Sequence, residues 1–137
     1  MASELSGALS ISAAGMDAQA MRLRIVAENL ANQDTTAALP GADAYRRKMI
    51  TFQSVMDSVS GMPTVKVRGV TSDQVALPQK YDPSNPAADV QGYVKTPNVN
   101  GFVEVMDMRE AERSYNANLS VLQASRSMVS KTIEILK

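Results

Sequence analysis

Ser12 to Asn32 reads SAAGMDAQAMRLRIVAENLAN, and its spacing decides how the chain is organised. Ala13, Met16, Ala20, Leu23, Ala27 and Leu30 recur at steps of three and four, and Leu9 extends the series backwards. That is an a/d seam of about three heptads, the pattern of a helix built to pack on another helix. Ile11, Ala14, Ala18, Met21 and Ile25 form a second series of the same kind. It lies roughly 160–200° around the helix from the first, at ~100° per residue. The spacing predicts a helix over residues 5–32, roughly 40 Å long at ~1.5 Å per residue. Ser3 and Ser6 are the candidate N-caps, and the end falls at Asn29 to Asn32, where Asn accepts a left-handed cap.

The other end of the chain reads similarly. After Gly101 there is neither Pro nor Gly as far as Lys137. Met108, Tyr115, Leu119, Leu122, Val129, Ile133 and Leu136 form one stripe, and Ala117, Val121, Ala124, Met128 and Ile135 form another. Acidic Glu104, Asp107, Glu110 and Glu112 come early and Lys131 and Lys137 late, an order that complements the helix dipole. A second long helix, again apolar on two sides, is predicted from about residue 99 or 102 onward.

Between the helices the composition changes. TTAALPGADA reads as a loop, YRRKMITF (45–52) as a candidate strand, and VKVRGV (65–70), which alternates with period two, as a better one. LPQKYDPSNPAADVQGYVKTPNVNG is too rich in Pro and Gly for a helix, and it predicts extended segments and turns. The expected fold is mainly α with a small β part. Two long terminal helices pair as a coiled coil, and the middle segment carries hairpin and extended structure. The expected division is 1–36, 37–100 and 101–137.

A two-helix monomer buries one stripe per helix; the second would stay in water. Each large side chain there forgoes ~1.5–3 kcal/mol relative to burial, so such a stripe marks an interface. A two-faced helix touches different subunits on its two sides, and a contact of that kind propagates into a helical filament if it does not close. The charge balance allows self-association: Lys+Arg and Asp+Glu are both 14 in 137 residues, so no net charge keeps copies apart.

The same composition excludes several chemistries. There is no basic excess of the kind nucleic-acid binding requires. With no Cys and no His, thiol catalysis, imidazole acid–base chemistry and typical zinc sites are absent, and no disulfide is needed. No run approaches the ~18 apolar residues of a membrane span. The N-terminus lacks a basic stretch followed by an apolar run, so no cleaved signal peptide is expected. Asp82, Asp89, Glu104 and Asp107 are the one candidate carboxylate site for hydrolysis or Ca²⁺, but they lack an EF-hand spacing. YRRK reads as a solvated strand face in preference to a phosphate grip. The nine Met residues read as packing filler rather than metal ligands. No catalytic, cofactor or metal site is assigned.

Two stretches carry a family resemblance. SAAGMDAQAMRLRIVAENLANQDTT resembles the amino-terminal signature of bacterial flagellar rod and hook axial proteins, through Asn29 and the ANxxT ending Ala31, Asn32, Thr35. YDPSNPAADVQGYVKTPNVNGFVEVMDMREAERSYNANLSVLQASRSM is similar to the carboxy-terminal half of a proximal-rod member of that family. Asp82, Pro83, Pro86, Gly92, Tyr93, Pro97, Asn98 and Asn100 carry that part. The similarity covers about 9–36 and 81–137; residues 37–80 match loosely, and Asn85 stands where the family often has His.

The resemblance implies a structural, non-enzymatic subunit of the basal-body rod, the drive shaft across the periplasm, needed for motility. It implies terminal helices in the inner coiled-coil layer of a tube and the middle segment outside. The implied partners are other copies of the chain, the rod proteins FlgB, FlgF and FlgG, the adaptor FliE and the flagellar type III export apparatus. Rod and hook proteins carry a short export-gate signal, Phe-x-x-x-apolar, and Phe52 to Met56 (FQSVM) fits it. The alternative is a soluble coiled-coil adaptor or chaperone that binds one partner helix in a closed complex.

Overall fold

Good helix formers dominate both ends of the chain, and both ends are helical. The structure, a computed structural model, describes residues 2–135. In order the elements are α1 (Ala2–Ala31), β1 (Lys48–Met56), β2 (Pro63–Ser72), β3 (Gln79–Tyr81), β4 (Tyr93–Lys95) and α2 (Gly101–Ile135). The architecture is mainly α with a small antiparallel β part, as the periodicities predict; Leu136 lies outside the described residues.

The helix ends differ in detail from expectation. α1 starts at Ala2, ahead of both expected caps. At its other end no described residue other than glycine has positive φ, so Asn does not cap in the left-handed form. Instead Asn32 turns its side chain back, and its Nδ2 donates to the Glu28 carbonyl at 2.9 Å. The same carbonyl also accepts from the Asn32 amide at 3.2 Å, so one residue closes the last turn with two donors. α2 is capped by Asn100, whose Oδ1 accepts from the Phe102 and Val103 amides at 3.0 and 3.4 Å.

Two compact units are built from these elements. The first comprises Met1–Leu23, Thr51–Gly69 and Arg109–Lys137; the second comprises Arg24–Ile50 and Val70–Met108. In the first, the helices run antiparallel: the Asn118 amide sits over Gly15, and Arg22 reaches Glu110 at 3.6 Å. A Cβ at Gly15 would stand 2.8 Å from Asn118 Nδ2, so glycine sets this close approach. The hairpin of β1 and β2 packs on the same helices. Its antiparallel register shows in Asp57 N donating to Met62 O at 2.9 Å and Thr51 Oγ1 donating to Gly69 O at 3.3 Å. Met62 at the hairpin tip lies over Gly7, where a Cβ would fall 2.5 Å from its sulfur. The tip is held by the Asp57 carboxylate, which accepts from Ser60 Oγ at 2.6 Å and Ser10 Oγ at 3.2 Å.

In the second unit β3 and β4 pair antiparallel, Gln79 opposite Lys95 and Tyr81 opposite Tyr93. Ala44, Ala87, Val94 and Pro97 are buried there. The loop between the strands closes through Asp82 N donating to Gly92 O at 2.9 Å. Gly92 has φ +86, and a Cβ would meet the Tyr81 ring at 2.8 Å; the position needs glycine twice over.

Candidate assembly surface

The motif residues turn out to be joints. Asn29 is 1% exposed and uses all four of its hydrogen-bonding positions. Nδ2 donates to the Lys48 carbonyl at 2.9 Å and to Glu104 Oε2 at 3.0 Å, while Oδ1 accepts from Tyr45 OH and the Lys48 amide, both at 2.9 Å. It therefore pairs with Lys48 as a neighbouring strand would, and ties α1 to the start of β1 and to α2. Glu104 is fully buried; its other oxygen is engaged by Arg47 Nε, and Arg47 Nη2 reaches Asp107 at 3.4 Å. A buried carboxylate is tolerable only with such partners.

Other motif residues extend the joint. Asn98 Oδ1 accepts from the Arg47 amide at 2.7 Å, and Asn98 Nδ2 donates to the Asp73 and Val75 carbonyls. Thr35 Oγ1 donates to Asn32 Oδ1 at 3.2 Å, and the Tyr45 amide donates to the Thr35 carbonyl. Burial raises the Tyr45 phenol above its ordinary value, helped by the charges of Glu28 and Glu104. Asp43 is held below the usual carboxylate range by the hydrogen bond from Lys95 and then by that from Arg46.

The YRRK segment is thus spent internally. Arg46 pairs with Asp43, Arg47 with Glu104 and Asp107, and Lys48 with Glu28. The four carboxylates weighed as one site are divided in role: Glu104 and Asp107 meet Arg47, Asp82 accepts from Ser84, and Asp89 caps the turn before Tyr93. Pro83 and Pro86 stay at the surface of that turn, and Ala31 is exposed at the end of α1.

The face that α1 turns inward was not read from its large residues. Ser12, Gly15, Ala18, Val26 and Asn29 are buried, a small and partly polar series. A recurrence of Ser, Gly, Ala and Asn at helical spacing is the signal that would have found it. Ala18 and Ile25 of the second seam are buried as well, while Ile11 and Met21 are partly exposed. Ala14, Ala18 and Met21 line a shallow cleft with Val65 and Val67 of β2, so the chain's own hairpin occupies part of that side. Along the first seam, Leu9, Ala13, Met16, Leu23 and Leu30 are half-buried, and Ala20 and Ala27 are exposed.

On α2, Met108, Tyr115, Leu119, Leu122 and Val129 are half-buried, and Ile133 is exposed. Ala117, Val121, Ala124, Met128 and Ile135 are all exposed. Their stripe is centred roughly 90° from the buried Ala111–Ser125 line, at ~100° per residue. Val121 is 50% exposed, Met128 52% and Ile135 84%. Phe52 and Met56 of β1 are exposed at 36% and 65%.

Comparison with known proteins identifies this arrangement. The chain is 52% identical to the flagellar basal-body rod protein FlgC of Agrobacterium fabrum, over 97% of this chain and 96% of that protein. The chain belongs to the FlgC family of flagellar basal-body rod proteins. FlgC proteins of Salmonella typhimurium and Bacillus subtilis are 40% and 37% identical, over 91% and 94% of this chain and 92% and 96% of theirs. Residues 90–135 also match the family model described as flagellar basal body rod FlgEFG protein C-terminal; they include α2. The FlgC family is structural rather than enzymatic, in keeping with a chain that has neither His nor Cys. Among the described residues no helix is long and apolar enough to cross a membrane.

Proposed function

We propose that this chain is a structural subunit of the proximal rod, the part of the flagellar drive shaft that crosses the periplasm, and that motility depends on it. In this reading 1–36 and 101–137 form the inner coiled-coil layer of the rod and 37–100 lie outside it. Its neighbours are further copies of itself, the rod proteins FlgB, FlgF and FlgG, and the adaptor FliE. The flagellar type III apparatus exports the chain, with Phe52 to Met56 as the gate signal.

One observation carries the reading: the outer stripe of α2 keeps a heptad spacing although its own chain does not cover it. Val and Met left in water forgo ~1.5–3 kcal/mol each, which a neighbouring subunit recovers. Val121→Asp and Met128→Asp test it. Both sites are about half exposed, so each variant should keep its helix content and lose under ~0.5 kcal/mol of stability. Basal-body yield and spreading in soft agar should nevertheless collapse. Full motility in both variants would place the stripe in water and reject the proposal. A closed one-to-one complex, instead of a lattice of copies, would favour an adaptor.

A further inference from the structure

The first unit leaves one heptad series exposed on α2 and another only half-covered on α1, and their side-chain sizes alternate in opposite order. On α1 the series runs Leu9, Ala13, Met16, Ala20; on α2 it runs Ala117, Val121, Ala124, Met128. Laid side by side in parallel, every layer joins one alanine to one large residue: Leu9 with Ala117, Ala13 with Val121, Met16 with Ala124, and Ala20 with Met128. The four α2 residues and Ala20 are exposed; Leu9, Ala13 and Met16 are half-buried. We propose that these two stripes are the two halves of one contact between copies: the outer stripe of α2 packs in parallel on the Leu9–Ala20 seam of the next copy. The proposal rests on the rod-subunit reading and deepens it by naming which face meets which.

Three further features favour a second copy as the occupant. The chain carries no net charge to keep copies apart. Equal heptad periods keep knobs and notches in step over successive turns. Two different stripes meeting make a heterologous contact, which repeats from copy to copy instead of closing.

The contact cannot be made within one copy. Gly15 meets Asn118 and Arg22 meets Glu110, so Ala20 stands level with about Arg113. Met128 lies roughly 22 Å further along at ~1.5 Å per residue, whereas a disulfide needs its Cα atoms within ~7 Å. By the same register Leu9 stands level with about Ala124, roughly 10 Å from Ala117 along the axis. A bond between 20 and 128 or between 9 and 117 must therefore join two copies.

The chain has no cysteine, so paired cysteines can be introduced without background. Basal bodies would be isolated from cells carrying Ala20→Cys with Met128→Cys, or Leu9→Cys with Ala117→Cys. After oxidation with copper–phenanthroline, both pairs should shift from the monomer band to a ladder of multimers on non-reducing gels. The four single variants should stay monomeric. If Met128→Cys weakens assembly, Met16→Cys with Ala124→Cys tests the intervening layer. Rods that contain the variants but give no ladder, or a ladder at only one layer, overturn the parallel layering. A ladder from a single variant overturns it too, because that stripe then meets itself. Basal bodies that lack the chain altogether reject the rod-subunit reading instead.

Discussion

At the residue scale, buried polar side chains hold the second unit together, and Asn29 is the clearest case. Its four hydrogen bonds close on Lys48, Tyr45 and Glu104. Asn29→Ala leaves a buried carboxylate oxygen and backbone groups without partners, at a cost on the order of 3 kcal/mol. Asn29→Asp should be worse at pH 7 than its near-identical shape implies: it removes both donors and sets a second carboxylate against Glu104. Urea unfolding followed by circular dichroism checks the order, and a milder effect for Asp than for Ala would contradict the network. Asp57 makes a prediction about pH. The Ser60 hydroxyl holds its carboxyl below the usual value, with the Ser60 and Val59 amides and Ser10 adding to the effect. A depressed folded pKa means that the contribution is present above the unfolded value, ~3.9, and is lost as pH falls through it toward the folded value. The Ser60 amide resonance should therefore shift in acid below that point, and Asp57→Asn should flatten the response. A tip unchanged down to pH ~3 would show that Asp57 does not hold it.

At the scale of the elements, the same two helices are held differently along their lengths. In the first unit the inward residues of α1 are Ser12, Gly15 and Ala18, and Gly15 and Gln19 line a cleft of about 510 Å³ together with Ser114 and Asn118. Gln19 Oε1 is buried there with no hydrogen-bond partner. Small side chains allow close approach but bury little apolar area, so the stabilisation per residue is low. In the second unit each helix end enters the satisfied Asn29–Glu104–Arg47 network. Hydrogen exchange on the dilute monomer should accordingly be faster over residues 4–20 and 115–135 than over 24–31 and 101–108, by about tenfold or more. Uniformly slow exchange along both helices would show that the first unit needs no neighbour.

At the scale of the whole molecule, the proposed export signal and the folded hairpin would place opposite demands on one segment. Phe52 and Met56 sit on a strand paired with β2, and Phe52 lines the cleft with Gly15 and Asn118. A receptor for this pentapeptide would read it in the chain before β1 pairs. Phe52→Ala combined with Met56→Ala should leave the protein in the cytoplasm. Met56 is 65% exposed but Phe52 only 36%, so the folded variant should lose stability mainly through Phe52; Met56→Ala alone is the control. Immunoblots of secreted and cytoplasmic fractions decide it; normal secretion would show that the pentapeptide is not the signal.

Sequence by itself determined the elements. Two long helices, a hairpin near 45–70 and turns over 77–101 follow from 3.6- and 2-residue periods and from Pro and Gly, all local properties. It also marked heptad stripes on both helices, and in the structure the outer stripe of α2 is exposed while the large residues of the Leu9–Leu30 seam are half-buried. What the sequence did not settle was which side of α1 turns inward. Ser12, Gly15 and Asn29 read as weak positions until Asn118 is set over Gly15 and Glu104, 75 positions away, is set against Asn29. The roles of Arg47 and Lys48 changed for the same reason. A charged or amide side chain gains from burial only when its partners are already there. Those partners come from distant parts of the chain, so only the tertiary structure assigns them.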